Sequence, residues 1–537
     1  MNTTEPIQRI QPPTSGNFKF TAIPALVFLV ALVVLLALRF LTWVQNMAGA
    51  IGYPGPIDYG EGIIWQQADM ILRGDGYKDL LIAPHVVFHY PPVFHVTSGL
   101  LGIALNVDQL AAGRLVSTVS TFGIALIIGT LVYRAVRTEG DRTAAGLCGL
   151  IAGLLGFSCI PVAYWSATDR VDMLAIFLSL VGVYFGLKAP DKPIYTFAAA
   201  AFFVTAIFTK QTMFAAPIAT FVVLLATRPR TAWTGLAVAS CLGLAVLATL
   251  QYFTGGGFLQ HVVGYNINRI SLSNLNMLGK LILWHIVIVF IASLAALRIG
   301  TLVRKNLRSG HVLLVPSDFQ QQFSLFAGAY FAISTVLLAA MLKSGSDINY
   351  ALDWVYACTM LIGLAMSFPI RIVLDLIARF LGFPVPAGRA VRSLGRSLTA
   401  CIVLPLLATQ AFVLPSPPFP TSWENAEIDN AVVEMIERVR LSVKPTISDD
   451  MVATRKAGKE VFLEPAIIAE LTALGHWDET AYVAMIKHRD FGFFVTKNSA
   501  GNALYLSRYS AAVRLAIETY YPRVERRAGY SIHLPVE

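Results

Sequence analysis

The chain reads as an all-α polytopic membrane protein with a small α/β domain outside the membrane at its C-terminal end. Of its 537 residues, 56% are hydrophobic and only 14% charged, where a soluble domain carries about 25% charge. Mean hydropathy is +0.63. Apolar runs approaching or exceeding the ~20 residues that cross a bilayer recur up to about residue 415, and residues 416–537 then change character.

The runs begin near Thr21, Leu115, Ala144, Val171, Ile194, Met213, Trp233, Leu278, Phe323, Ala351 and Leu398, about eleven candidate spans. The first, Thr21 to about Gln45, is longer than the roughly 7–15 apolar residues of a signal peptide. It reads as a retained span although "AGA" follows at 48–50. Residues 1–20 are then an N-terminal tail, 21–415 the membrane domain with a first external loop at 46–112, and 416–537 the C-terminal domain.

Topology turns on "VFHVTSGLLGIALNV", 93–107. The run is short for a span and reads as an interfacial or re-entrant piece. With that choice the basic clusters at 134–142, 188–192, 228–230, 298–308 and 371–396 share one side. An excess of Lys and Arg marks the cytoplasmic side, so the N-terminus is expected inside. The first loop, "SATDR", "FTKQT", 253–276, "KSGSDINY" and everything after Pro415 are expected outside. This is the pattern of an inner (plasma) membrane protein. The net charge of +9 belongs to those loops and does not imply nucleic acid.

"RIVLDLIARFLGFPVPAGRAVRSLGRS", 371–397, reads as a basic amphipathic helix followed by a Pro/Gly turn. In the C-terminal domain "SWENAEIDNAVVEMIERVR" has helical periodicity, with Ser422 as cap. "FGFFV" and "YSIHLPV" read as strands, "AIIAELTAL" and "AAVRLAIETYY" as helices. Cys148, Cys159, Cys241, Cys358 and Cys401 lie in or beside apolar runs and form no CxxC. A disulfide framework or a cysteine metal site is therefore not implied.

Chemistry gathers in "PGPIDYGEGIIWQQADMILRGDGYKDLLIAPHVVFHYPP". Asp58 and Glu61 stand three apart after the first span, and "EGIIWQQADMILRG" makes an amphipathic helix of the following segment. The plain alternative is a solvated loop with a capping acid. His85, His89 and His95 have spacings of four and six through a Pro-Pro, which is not a zinc pattern; His89 and Tyr90 are candidates to line a site. "SATDRVD" puts Asp169, Arg170 and Asp172 at the mouth of a span, where ionisable residues are functional by default; a charge-paired cap is the alternative. Lys210 and Gln211 sit on the external side against the charge trend, and Lys343, Asp347, Asn349 and Tyr350 form a weaker case. No Walker motif, GxGxxG or GxSxG is present, which argues against ATP-driven transport, dinucleotide chemistry and a serine hydrolase.

"DYGEG", "LRGDGYKDL", "HYPPVF", "AAGRLVSTVS", "SATDRVDMLAIFLSL" and "FTKQT" occur in an order and spacing similar to the GT-C superfamily of membrane glycosyltransferases. The resemblance is to the branch of protein O-mannosyltransferases and aminoarabinose transferases, over roughly residues 20–350. It implies a polyprenyl-phosphate sugar as donor, a glycan, lipid or protein acceptor, inversion at the anomeric centre, and an acidic motif in the first external loop. The family's acids are adjacent or one apart, whereas here they are Asp58 and Glu61, which leaves the base open between them, with Asp58 the first choice and Glu61 the second. A departing lipid phosphate calls for fixed cations and donors, which makes Arg170, Lys210 and Gln211 candidates for the donor phosphate, a snorkelling Lys210 being the alternative; His89, Tyr90, Asp169, Asp172, Asn349 and Tyr350 are candidates to line the site. No cofactor is required; a divalent metal shared by Asp58 and Glu61 is the open alternative. The competing functions are a transporter or flippase of lipid-linked glycans, and a glycan polymerase or ligase. Transporters show matched halves and midplane polar residues, whereas these polar residues gather on one face. A polymerase or ligase should carry an Arg-rich external loop, and 46–112 and 253–276 hold few arginines.

Overall fold

The computed structural model describes residues 15–137, 141–266, 268–308, 319–380, 393–414, 426–497, 502–527 and 529–536. The membrane part comprises α1 (Ser15–Gly52), α2 (Glu61–Leu72), α3 (Val93–Leu105), α4 (Gln109–Val136), α5 (Arg142–Leu155), α6 (Ile160–Trp165), α7 (Asp172–Lys188) and α8 (Ile194–Ile207). It continues with α9 (Ala215–Thr227), α10 (Pro229–Phe253), α11 (Gly257–Val262), α12 (Asn274–Trp284), α13 (Ile286–Arg308), α14 (Phe319–Leu337), α15 (Leu352–Phe380) and α16 (Ser393–Val413). Among the described residues, 6 helices are long and apolar enough to cross a membrane, beside shorter apolar ones such as α3, α8 and α9. The protein is a multi-pass membrane protein.

Several expected spans are broken. The run from Ala144 ends as α5, makes a 3-10 turn at Gly156–Ser158 and resumes as α6. Pro161 sits in the first turn of α6, where a missing N–H costs nothing, and the Ile160 N–H donates to His285 Nε2 (3.3 Å). The 93–107 run is α3, 13 residues long. That is about 20 Å at 1.5 Å per residue, too short to cross a ~30 Å hydrocarbon layer. Asn106 ends it in the left-handed conformation (φ 54°), and Asp108 caps α4 through the Ala111 N–H (2.9 Å). At 371–397, helix α15 runs on to Phe380; the expected Pro/Gly turn and the Ser422 cap lie outside the described residues.

The C-terminal domain contains α17 (Ala426–Leu441), β1 (Ile447–Ser448), α18 (Met451–Lys456), α19 (Pro465–Ala473), α20 (Thr480–Lys487), β2 (Phe494–Lys497), α21 (Ala503–Arg508), α22 (Ala511–Tyr520), β3 (Arg523–Arg527) and β4 (Tyr530–Leu534). The sheet order is β1-β2-β4-β3, with β1 parallel to β2 and the other pairs antiparallel. The expected helices and strands are found there, strand β2 two to three residues later than "FGFFV". Strand β3 was not foreseen: it is an edge strand of mainly charged, exposed residues and carries no hydrophobic alternation.

The first loop is sandwiched between the bundle and this domain. Ile63, Met70, Tyr77 and Phe88 share a core with Phe208, Phe258 and Val262 below and with Met451 and Val461 above. Leu80 and Val87 belong to the core of the C-terminal domain. Arg455 pairs with Asp69, and Lys456 with Asp108 at 2.5 Å. The two backbones pack tightly at Gly62, where a Cβ would lie 2.3 Å from the Met451 carbonyl carbon and 2.4 Å from the Val452 nitrogen.

Gly62→Val is therefore expected to push the domain off α2 at a cost of about 1–3 kcal/mol. Limited proteolysis of the full chain in detergent should release the C-terminal domain faster than from the wild type; an unchanged digestion pattern would contradict this packing.

Candidate functional site

After α1 the chain turns through Pro54 and Pro56 and enters α2 at Glu61. Glu61 and Arg114 of α4 are both 0% exposed. Arg114 grips the carboxylate bidentately, Nε to Oε1 and Nη2 to Oε2, both at 2.8 Å. Its remaining hydrogens go to the carbonyls of Ala50, Tyr53 and Gly55, which uses all five guanidinium donors. Glu61 also accepts from the backbone N–H groups of Ile57 (2.6 Å), Asp58 (3.2 Å) and Asp169 (2.9 Å). Five donors on two oxygens leave Glu61 no lone pair for a proton in transit or for a cation. Among the described residues no group of three or more His, Cys, Asp or Glu is arranged to hold a metal ion.

The same knot presents Asp58. Its Oδ2 accepts from the Gly60 N–H (2.9 Å) and faces Arg170 Nη1 at 3.4 Å. Gly60 must be glycine for that approach, since a Cβ would fall 1.7 Å from Arg170 Nη1. Burial raises the Asp58 pKa; Arg170 opposes the shift, and Glu61 adds to it. Arg170 donates from Nη2 to Tyr90 Oη (3.2 Å) and lies over the rings of Tyr90 and Trp165.

Asp58 and Arg170 line a cavity of about 430 Å³ together with His89, Tyr90, Lys210, Gln211, Asn349 and Tyr350. Lys210 is ion-paired with Asp172 at 2.5 Å, and Asn349 donates to the same Asp172 oxygen (3.0 Å). Asp172 thus orients cavity residues from behind and does not itself line the cavity. Gln211 and Asn266 both donate to the His89 carbonyl (2.8 and 3.2 Å). Burial, with Lys343 and Arg170 nearby, lowers the His89 pKa to about 3, so its imidazole is neutral. Asp169 is buried away from the cavity; its N–H serves Glu61, and its carboxyl oxygens have no partner among the described residues.

The histidines of the first loop have separate tasks. His85 packs edge-on against Phe462 and Trp477 of the C-terminal domain. His95 is 0% exposed and bonds Gln67 (2.9 Å).

Two further contributors stand out less in the sequence than in the structure. Lys343, held by Asn266 Oδ1 (2.6 Å), lines the cavity and has no carboxylate ion-pair partner among the described residues. The C-terminal domain supplies Glu464 and Arg508. A lysine lying apart from the basic clusters was a visible signal for the first. Nothing in the sequence ties positions 464 and 508 to position 58.

No family model and no curated protein matches the chain. Among solved structures, ArnT from Cupriavidus metallidurans in the apo state matches with a TM-score of 0.55 at 14% identity, covering 94% of this chain and 97% of that one. ArnT bound to undecaprenyl phosphate matches at 0.53 and 13%, covering 94% and 98%. The Archaeoglobus fulgidus oligosaccharyltransferase in the apo form matches at 0.52 and 11%, covering 92% of this chain and 72% of that one. At these identities the likeness is one of fold: the chain shares the architecture of ArnT and of this oligosaccharyltransferase.

Glu61→Gln leaves the Arg114 charge buried without its counterion, which costs roughly 3–5 kcal/mol. Thermal unfolding in detergent should show a strongly lowered midpoint for Glu61→Gln and a near-wild-type midpoint for Asp58→Asn. Equal midpoints for the two variants would contradict the division between them.

Proposed function

We propose that this GT-C-folded chain is an inverting glycosyltransferase, moving a sugar from a polyprenyl-phosphate donor to a hydroxyl acceptor. The observation that carries the reading is the Asp58 carboxylate, held on one oxygen only and open to a cavity, beside cations that suit a departing phosphate. The fold it shares with ArnT, which has been seen with undecaprenyl phosphate, supports the donor class. The charge bias of the loops supports an inner (plasma) membrane setting, with the N-terminus cytoplasmic and the cavity and C-terminal domain outside.

In this reading the acceptor oxygen attacks the anomeric carbon as its proton passes to Asp58. The bond from that carbon to the phosphate oxygen breaks, and its electrons leave with the lipid phosphate. Lys343 takes the growing phosphate charge, with Arg170 beside it. Lys210 has its charge largely answered by Asp172, so it shapes the cationic wall more than it adds net charge. The Asp58 carboxylate also faces the positive charge that develops on the sugar ring. Glu61 has no chemical step; it fixes the backbone that carries Asp58. The site gathers on one face of the bundle and is roofed by a domain, which favours an enzyme over a transporter working from the midplane.

Purified protein in nanodiscs, screened against labelled polyprenyl-phosphate sugars, tests the reading. Asp58→Asn should lower transfer by about 10²–10⁴-fold with the fold intact; near-wild-type turnover would remove Asp58 as base. Because the base acts deprotonated and burial raises its pKa, kcat/KM should climb with pH and level off above the ordinary carboxylate range. A profile that falls over that interval would contradict the assignment. Lys343→Ala should raise the donor KM roughly tenfold or more, the scale of one hydrogen bond to a charged group; an unchanged donor KM would count against phosphate binding.

A further inference from the structure

We propose that Glu464, on the C-terminal domain, selects the acceptor: its carboxyl group binds a hydroxyl of a polyhydroxylated molecule other than the hydroxyl that reacts. This deepens the proposed transfer and rests on it.

Glu464 is fixed in place by the first loop. Phe462 accepts from the His85 N–H (2.8 Å), His85 and Leu463 form a parallel bridge, and the Val461 N–H donates to Gln66 (3.2 Å). Glu464 occupies the cap position of α19 but makes no capping bond. The Ala466 N–H goes instead to Tyr59 Oη (3.4 Å). The Glu464 side chain lines the cavity, the residue is 8% exposed, and its carboxylate has no hydrogen-bond partner among the described residues.

The cations near it are committed elsewhere. Arg508 pairs with Asp449 at 3.0 Å and lies 4.0 Å over the Tyr59 ring. Arg170 serves Asp58 and Tyr90. A carboxyl that no protein donor engages and that opens into a cavity is a mark of a binding site. Burial pushes Glu464 up to about 7, with Arg170 opposing, Asp58 adding to the shift and Arg508 opposing. Near neutrality it is present in both forms. A hydroxyl, donor and acceptor at once, satisfies either form; an ammonium satisfies only the ionised one. Leu504, Ile467 and Ser507 line the cavity from the same domain, which gives the acceptor a mixed apolar and polar seat.

Methyl glycosides serve as probe acceptors, with methylamine as the cationic control, on the full chain in nanodiscs. In wild type minus Glu464→Gln infrared difference spectra, adding the glycoside should shift the Glu464 carboxyl band. In the transfer assay Glu464→Gln should raise the glycoside KM about tenfold while the donor KM moves less than about twofold; Glu464→Asp should recover part of the loss. A hydroxyl satisfies either form but bonds the ionised one more strongly, so the wild-type glycoside KM should fall as pH rises through about 7, and that step should vanish in Glu464→Gln. An unmoved carboxyl band, a lowered kcat with both KM values unchanged, or a stronger response to methylamine would overturn the proposal. If wild type transfers from no donor, the proposed function fails; the carboxyl band then decides this proposal alone, a glycoside-dependent shift sustaining the hydroxyl site and its absence overturning it.

Discussion

The buried pair of Glu61 and Arg114 is the interaction on which the rest of the site depends. Neither side chain touches water, and ions so deeply placed are tolerated only when their remaining hydrogen-bonding capacity is used. Here it is used by the backbone. Three carbonyls at the end of α1, two N–H groups before α2 and one in the Asp169 turn converge on the pair. One charge pair thereby ties together three chain segments far apart in sequence. Asp58 lies inside the tied loop and Arg170 immediately after the tied turn, so their separation is set by the same knot.

Charge compensation divides the polar residues into two groups. Arg114, Lys210 and Arg508 each have a buried or nearly buried carboxylate partner and act as fixed parts of the frame. Lys343 and Glu464 have none among the described residues, although both line the cavity. Asp58 stands between these groups, held on one oxygen by Gly60 and Arg170. The frame cannot take on a substrate's charge without breaking its own pairs; the uncompensated groups can. Their positions come from the loop after the 3-10 turn at Leu338–Leu342 and from the C-terminal domain, which is why the cavity needs that domain docked on α2.

The fold class, the gathering of polar residues on one face, the non-spanning length of 93–107 and a core of the cavity lining (Asp58, His89, Tyr90, Arg170, Lys210, Gln211, Asn349 and Tyr350) were legible in the sequence. They follow from hydrophobic run length, loop charge and the local order of short motifs, which are properties of nearby residues. The roles of the two acids were not. Asp58 and Glu61 look alike as loop carboxylates, and what separates them is an arginine 53 positions away. Asp169 and Asp172 were read as cavity-lining, yet one turns its N–H to Glu61 and the other sits behind Lys210. Glu464 reaches the cavity through contacts with residues nearly four hundred positions earlier, beyond what periodicity or local spacing encodes. The broken run at Gly156–Ser158 escaped because its apolar composition continues through the break.

The central claim is that a lipid-borne phosphate arrives beside the uncompensated cation while Asp58 stays free for the acceptor. A structure of the protein with a polyprenyl phosphate bound tests this most directly. The phosphate should lie within hydrogen-bonding distance of Lys343, with the Glu61–Arg114 pair unbroken and the Asp58 carboxylate open to the cavity. A phosphate held instead at the Glu61–Arg114 pair, or outside the cavity lined by Asp58 and Arg170, would contradict it.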